Sequence, residues 1–201
     1  MIAIAANLNR VETHRTLSYA LREAADGAFR DAIRQLASGV CVVTLGRDDE
    51  RTGLTATSVS SLSADPPTLL VCVDRARYRA VESLGAFAVN VLAADQREVA
   101  DRFDGASGLT GADRFRDERW LVLSSGAFCL AGSAAVFDCE VDERIERHGH
   151  AIVIGRVRRV LVGDGSGALV RWRGAYDQVG WSKDEIARAV GLSPRGKGCS
   201  G

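Results

Sequence analysis

The chain has 201 residues, a length that suits one domain with a sizeable core. Its 26 lysines and arginines balance 26 aspartates and glutamates, so the zero formal net charge gives no general attraction to nucleic acid or to an acidic membrane surface. No apolar run approaches the length of a membrane span, and the start of the chain lacks the pattern of a secretory leader. We therefore expect a soluble, cytoplasmic protein.

The cysteines also bear on the compartment. There are five of them, an odd number, and none forms a CxxC pair. Cys41, Cys72 and Cys139 each lie inside an apolar run, which is typical of reduced thiols in a core and not of disulfides or zinc ligands. Reduced thiols again favour the cytoplasm.

Apolar residues at helical spacing begin the chain. Residues 16–28 predict a helix, and Gly27 predicts a break before a second helix. The second helix is expected to begin near Phe29 and to end at Gly39, because glycine favours the left-handed conformation that closes many helices. We therefore expect a helical extension over residues 1–28, ahead of the main domain.

The period then changes from helix to sheet. Short β-branched runs that begin at Val40, Thr68 and Phe87 predict buried strands, and the charged segment GRDDERT from Gly46 predicts a hairpin turn. Asp95 has the position and the side chain of a helix cap, so a short helix is expected to follow it.

A long hairpin comes next. SAAVFDCEVDERIE alternates between an apolar face that includes Phe137 and a polar face that includes Asp138, which predicts a long strand wet on one side. AIVIGRVRRVLVG from Ala151 predicts an antiparallel partner strand with a bulge at Gly155. HGH at 148–150 is then the turn between them.

The end of the chain completes the predicted fold. ALVRW from Ala168 is predicted to be the last strand, and residues 181–201 are expected to form a capped helix and a flexible tail. Strands follow one another at hairpin spacing, without regular alternation of strand and helix, over a main domain of residues 29–180. This pattern predicts a mainly β, antiparallel barrel or sandwich with peripheral helices.

The segment GLTATSVSSLSADPP, residues 53–67, places hydroxyls on both parities of a predicted strand. A strand with one dry face alternates apolar and polar residues, so this crowding indicates that something polar is held there. DRARYR follows at a strand's length and supplies positive charge at Arg75, Arg77 and Arg79. Hydroxyls and arginines together favour a phosphate site, although a solvated edge strand followed by a basic loop fits the same residues.

Three other patterns carry weaker signals. GASGLTG at 105–111 lacks the preceding strand and the GKS or GKT of a phosphate loop, so we interpret it as a surface loop. His148 and His150 have a spacing that suits a metal site, but no third ligand stands at a recognisable distance, and we expect no metal. Asn90, polar within a buried strand, is expected to satisfy neighbouring backbone groups.

The order of these motifs resembles the flavin reductase-like family. Its usual form is close to GMTASSFSSVSLDPPLVLVCV, and this chain has GLTATSVSSLSADPPTLLVCV. FRDAIRQLASGVCVVT stands before it, and GAFAVNVLAADQREVADRF, HGHAIVIGRV and RGAY stand after it, all in the family's order. The resemblance extends from about Phe29 to Val179.

This resemblance implies a fold, an activity and partners. The family fold is an antiparallel, Greek-key, FMN-binding split barrel that forms a homodimer. Its members use NADH or NADPH to reduce FMN or FAD, and many are the reductase component of two-component monooxygenases. Hydride passes from C4 of the nicotinamide to N5 of the flavin, which requires no strong general base.

The resemblance also implies site residues. The family's flavin-binding segment is matched here by Thr55, Ala56, Thr57, Ser58, Val59, Ser61 and Leu62. Phosphate contacts are implied for CVDRARY, with Arg75, Arg77 and Arg79, although Asp74 replaces the usual asparagine. His150 is implied as the catalytic residue beside the nicotinamide, or it only orders the hairpin. Arg173 and Tyr176 of RGAY border the flavin or the dinucleotide, or they only close the barrel.

Two rival functions stay open at this point. Related split barrels oxidise pyridoxamine phosphate or use a deazaflavin, but the run TATSVSSLSADPP favours the reductases. A flavin carrier or sensor without turnover would have the same binding segment. The sequence also leaves open the choice between FMN and FAD and between NADH and NADPH.

Overall fold

The computed structural model describes residues 24, 26–46, 48–74, 85–116, 118–164 and 167–180. The chain divides into two units, residues 1–33 and 34–201. In the first unit the described residues include one helix, α1 (Asp26–Ile33). The helix runs through Gly27 and ends well before Gly39, so both predicted boundaries are wrong. Gly27 lies in the first turn, where backbone N–H groups have no partner inside the helix anyway.

Most of the helix predicted over residues 16–28, and all of the one predicted after residue 181, lie outside the described residues. In the second unit the sheet elements are β1 (Ser38–Gly39), β2 (Cys41–Leu45), β3 (Thr52–Ala56), β4 (Val59–Ala64), β5 (Pro67–Asp74), β6 (Ala86–Val91), β7 (Trp120–Val122), β8 (Phe128–Leu130), β9 (Ala135–Arg147), β10 (His150–Val162), β11 (Ala168–Trp172) and β12 (Ala175–Val179). The strands predicted from Val40, Thr68 and Phe87 are confirmed as β2, β5 and β6.

Seven strands form one antiparallel sheet in the order β3-β2-β6-β9-β10-β5-β4. Its two end strands, β3 and β4, follow each other in the chain and are joined by Thr57 and Ser58 alone. The sheet therefore curls until its ends meet at this junction, as in a barrel that stays open along one seam. Leu54, Val71 and Phe87 belong to the core that fills it. The predicted antiparallel barrel is confirmed.

A second apolar cluster lies outside the barrel around α2 (Arg97–Asp104), whose buried residues are Val99, Ala100 and Phe103. Asp95 does not cap this helix; Gln96 occupies the N-cap position, and its Oε1 accepts the N–H of Ala93 at 2.9 Å. The cap prediction is therefore wrong, because the helix begins one residue later than expected, with Gln96 and not Asp95 before its first residue.

A three-stranded sheet, β1-β11-β12, adjoins this second cluster. ALVRW is β11, but it is not the last strand, because the chain turns at Arg173 and Gly174 and returns as β12. Sequence reasoning missed β12, which is almost wholly exposed and has little apolar alternation.

The β9–β10 hairpin has two strands of 13 residues each, joined at His148 and Gly149. The register shifts between Ile154 and Gly155, which confirms the predicted bulge. The assignment of Asp138 to the wet face of β9 is wrong. Asp138 is fully buried, because the turn before β8 covers it. Its carboxylate accepts hydrogen bonds from Ser124 Oγ at 2.9 Å, from the Ser125 N–H at 3.2 Å and from Ser125 Oγ.

None of the helices in the described ranges combines the length and the apolar character that a membrane crossing requires. The buried polar side chain of Asn90 behaves as expected. Its Nδ2 donates to the Val42 carbonyl at 2.9 Å, and its Oδ1 accepts the N–H of Leu130 at 2.6 Å.

Candidate functional site

The junction of β3 and β4, here called the corner, consists of Thr57 and Ser58. Thr57 is half-buried and Ser58 is exposed. The Ser58 carbonyl accepts the N–H of Cys72 on β5 at 2.9 Å, which ties the corner to the sheet. Among the described residues, no hydrogen bond involves the hydroxyl of Thr57, Ser58 or Ser61. The corner therefore offers free hydroxyl donors at a fixed place in the backbone.

β4 adds backbone groups to these donors. It pairs with β5 on one side, and as the last strand of its sheet it has no partner on its other side among the described residues. Ser60, Ser61 and Leu62 are exposed, and Leu62 lies at a register shift between Ser61 and Ser63. An open strand edge presents unpaired N–H and C=O groups, which are available to a ligand.

Thr55 differs from the other hydroxyl residues of the segment. Its side chain is 8% exposed, and its hydroxyl donates to the Ala100 carbonyl of α2 at 2.7 Å. Ala56 belongs to the barrel core, and Val59 packs against that core. The segment matched by the family therefore divides into an anchored part before the corner and an open part from the corner onward.

His150 begins β10, and its Cα partners are Asp74 on β5 and Arg147 on β9. The imidazole is exposed, and its Nδ1 lies 3.2 Å from the His148 carbonyl. Residues directly opposite each other on neighbouring strands point to the same face. Since Ser58 is level with Cys72, and Asp74 is two residues further along β5, Ser58 and His150 share the outer face of the sheet.

The strand spacing of about 4.8 Å and the rise of about 3.4 Å per residue put the Cα atoms of Ser58 and His150 about 12 Å apart. Cys72 and Ile152, both half-buried, lie between them and continue past the level of Ser58 as an apolar strip through Leu70 and Ile154; Asp74, the Cα partner of His150, lies on the same face. This face thus has hydroxyl donors beside an apolar strip, and an imidazole and the Asp74 carboxylate at one end of that strip. Such a surface suits a flat aromatic ring with polar edges.

The interpretation of Cys72 as a core thiol is wrong, because it lies half-buried on this outer face. The run TLLVCV does not indicate which face is buried, because it is apolar on both. Cys41, Cys129 and Cys139 are buried, and none of the four cysteines that the structure describes forms a disulfide. Burial raises the pKa of Cys41 to about 12.

Arg75, Arg77 and Arg79 lie outside the described residues. Asp74, which precedes them in the sequence, is paired with His150 across the β5–β10 ladder. The ladder therefore leads directly from the HGH turn to the start of the arginine segment.

The RGAY residues lie with the second cluster, not with the barrel core. Tyr176 stacks against the guanidinium groups of Arg97 and Arg171, at 5.5 and 5.3 Å from the ring centroid. Its hydroxyl oxygen is buried and has no hydrogen-bond partner among the described residues, and burial raises the pKa of this hydroxyl. Arg173 is already engaged, because its Nε donates to Gln35 Oε1 at 2.9 Å.

No group of three or more His, Cys, Asp or Glu side chains is arranged to hold a metal ion within the described ranges. GASGLTG begins at Gly105, the left-handed residue that closes α2, and continues through mostly exposed residues.

Known proteins resemble this chain over most of its length. A family model described as flavin reductase like domain matches residues 33–180, a range that includes both the corner and the HGH turn. FMN reductase (NADH) RutF 2 of Methylorubrum extorquens (strain PA1) is 39% identical over 145 residues, which cover 71% of this chain and 83% of the relative. FMN reductase (NADH) RutF of Stutzerimonas stutzeri (strain A1501) is 35% identical over 144 residues, which cover 71% and 82%.

Solved structures have the same fold. BorF, the flavin reductase component of a bacterial two-component tryptophan halogenase, has a TM-score of 0.72 at 31% sequence identity, over 79% of this chain and 100% of that chain. The NADH:FAD oxidoreductase SgcE6 of Streptomyces globisporus C-1027, in complex with NAD and FAD fragments, has a TM-score of 0.72 at 27% identity, over 83% and 99%.

Proposed function

This chain belongs to the flavin reductase-like domain family, and we propose that it uses NADH to reduce a flavin bound at the corner. The observation that carries the site is the face described above. Free hydroxyls at Thr57 and Ser58 stand across an apolar strip from the imidazole of His150. The preference for NADH over NADPH is taken from the relatives that are named FMN reductase (NADH).

The donor set fits a flavin. An isoalloxazine ring has an apolar body and polar edges, and a phosphate takes several hydrogen-bond donors. Half-buried Cys72 and Ile152 offer contact to the ring body, and the free hydroxyls and the open edge of β4 offer donors. The proposed flavin contacts are Ala56, Thr57, Ser58, Val59, Ser61 and Leu62, with Arg75, Arg77 and Arg79 at the phosphate.

His150 is proposed to contact the nicotinamide nucleotide. It lies at the far end of the strip from the corner, and its ring is exposed. Its two Cα partners add a charge of each sign to the same end, positive at Arg147 on β9 and negative at Asp74 on β5. A dinucleotide that enters from this end would bring its nicotinamide toward the middle of the strip.

When both are bound, the nicotinamide supplies a hydride and the flavin accepts it. The chain's own residues hold the two rings together and need not remove a proton. Hydroxyl donors at Thr57 and Ser58 stabilise negative charge at the edge of the ring beside them. The apolar strip excludes water from the ring face that it covers.

The wider role follows from the relatives. BorF and the RutF proteins are flavin reductases, and BorF is a component of a two-component system. We propose that this chain likewise supplies reduced FMN or FAD to a partner oxygenase in the cytoplasm, and that it does so as a homodimer.

A turnover assay tests the activity. Purified protein is mixed with NADH or NADPH and with FMN, FAD or riboflavin, and the loss of nicotinamide absorbance is followed. We expect many turnovers per protein molecule with NADH and FMN or FAD. A tightly yellow protein without turnover would instead identify a flavin carrier, and this would overturn the proposal.

A further inference from the structure

The hydroxyl of Thr55 is committed to the protein itself. Thr55 precedes the corner by two residues, and the resemblance to the family implies that it belongs to the flavin-binding segment. Its hydroxyl nevertheless donates to the Ala100 carbonyl at 2.7 Å, in a buried contact between residues 45 positions apart in the chain. The Thr55 side chain thus faces α2 on the outside of the barrel, away from the outer face of β4 and β5.

Gly53, two residues earlier and on the same face of β3, is held from the same side. A Cβ atom at Gly53 would lie 2.7 Å from Cε1 of Phe103, so α2 touches the strand backbone itself. The Gly53 carbonyl also accepts a hydrogen bond from Arg114 at 2.9 Å. β3 is therefore clasped along its outer face by α2 and by the segment that follows it.

Hydrogen bonds hold the corner in place on both sides. On one side is the bond from Thr55 to Ala100, together with the last ladder pair of β3, Ala56 with Cys41. On the other side is the bond from the Cys72 N–H to the Ser58 carbonyl. Between these two points the backbone of the corner forms no ladder pair with any described strand.

We propose that Thr55 is a positioning residue: its bond to α2 fixes the corner so that Thr57 and Ser58 meet the flavin. This proposal rests on the proposed function, since it assigns a role within the same site. A binding group that is displaced by a fraction of an ångström loses much of its hydrogen-bond energy, so a loosened corner lowers flavin affinity.

The test compares four variants with the wild-type chain, three of them at buried threonines. Thr55→Val keeps the shape and removes the hydroxyl, and Thr55→Ser keeps the hydroxyl. Thr44→Val is the matched control, because Thr44 is a buried threonine on β2 whose hydroxyl also donates to a distant carbonyl, that of Phe128. Thr44 pairs with Gly53, at the end of β3 that lies away from the corner.

The readouts are the Kd for FMN, from quenching of flavin fluorescence, and the midpoint of thermal unfolding. We expect Thr55→Val to raise the Kd about tenfold, as for a lost buried hydrogen bond, with Thr55→Ser and Thr44→Val within about twofold of wild type. Thr55→Val and Thr44→Val should lower the unfolding midpoint by similar amounts. The fourth variant, Phe103→Leu, loosens α2 with the Thr55 hydroxyl intact and should also weaken FMN binding.

Wild-type affinity in Thr55→Val or in Phe103→Leu would overturn the positioning role. So would an equal loss of affinity in Thr55→Val and Thr44→Val, which would show a general loss of stability. If the wild-type chain itself binds no flavin, the proposed function fails, and this outcome is distinct from the other two.

Discussion

His150 carries the clearest prediction for a single residue. Because it lies at the end of the strip away from the corner, His150→Ala should raise the KM for NADH about tenfold, as for one lost contact to a ligand, and leave the KM for flavin within about twofold. The measurement is steady-state kinetics with each substrate varied in turn.

The control for His150 is its neighbour in the same turn. His148 adopts φ 48°, so His148→Asn suits its backbone, because asparagine tolerates that conformation. His148→Asn should leave both KM values unchanged. Equal rises of the two KM values in His150→Ala would mean that the imidazole only orders the hairpin.

Within the part of the chain that the structure describes, the buried hydroxyl of Tyr176 has no hydrogen-bond partner, whereas most buried polar groups in folded proteins have one. If this oxygen serves the cofactor or the dinucleotide, Tyr176→Phe should weaken the binding of one of them by about fivefold, as for one lost hydrogen bond. The unfolding midpoint should not fall, because the ring and its contacts with Arg97 and Arg171 are kept. Binding constants equal to wild type would assign Tyr176 to the fold alone.

At the scale of elements, the packing of α2 on β3 depends on a missing side chain. A Cβ at Gly53 would lie 2.7 Å from Phe103 Cε1 and 2.9 Å from the Val43 carbonyl oxygen, which is backbone and does not move away. Gly53→Ala should therefore lower the free energy of unfolding by about 1–3 kcal/mol, measured by urea denaturation.

Gly39→Ala is the matched control for this change. No atom of the residues that the structure describes lies within 4 Å of a Cβ at Gly39, and its backbone conformation is open to any residue. We expect a change of less than about 0.5 kcal/mol there. Equal effects at both positions would contradict the account of how α2 packs.

The elements also show what the sequence can predict. β2, β5 and β6 were predictable because short β-branched runs between turn residues favour buried strands. The bulge at Gly155 was predictable because a glycine inside a strand often marks one. The burial of Asp138 was not predictable, because the turn that buries it comes from another part of the chain. The alternation of apolar and polar residues along a strand predicts its two faces, but whether a polar residue is buried depends on the segment that covers it.

The same distinction applies to the site. The crowded hydroxyls predicted a polar site at the corner, because they do not fit the alternation of a half-buried strand. The partner of Thr55 is 45 residues away, and nothing in the local pattern separates Thr55 from Thr57. The pairing of Asp74 with His150 likewise depends on the register of β5 against β10, which a single sequence does not specify.

At the scale of the whole molecule, the cysteines should differ sharply in reactivity. Burial and, to a lesser extent, the charge of Asp138 together raise the pKa of Cys129 and Cys139 to about 12. In the folded protein at pH 8, iodoacetamide should therefore leave these two and Cys41 unmodified, and it should label Cys72 among the four described. Saturating FMN should slow the labelling of Cys72, which mass spectrometry of the peptides measures.

The same pKa values set how the stability of the fold depends on pH. Folded-state pKa values of about 12 lie above the ordinary value of 9.0, so the buried thiols stabilise the fold fully below pH 9 and lose this contribution as the pH rises toward 12. Labelling of Cys139 in the folded protein at pH 8 would contradict the burial of this thiol. Equal labelling of Cys72 with and without FMN would contradict the proposed position of the flavin.

The most direct measurement is the Kd for FMN of the wild-type chain, Thr57→Val and Ser58→Ala. The control is Ser63→Ala, since the Ser63 hydroxyl on the same strand already donates to the Asp65 carbonyl at 2.9 Å. We predict that each corner variant raises the Kd about five- to tenfold, and that the control stays within about twofold. Unchanged affinity in both corner variants would contradict a flavin site at the corner.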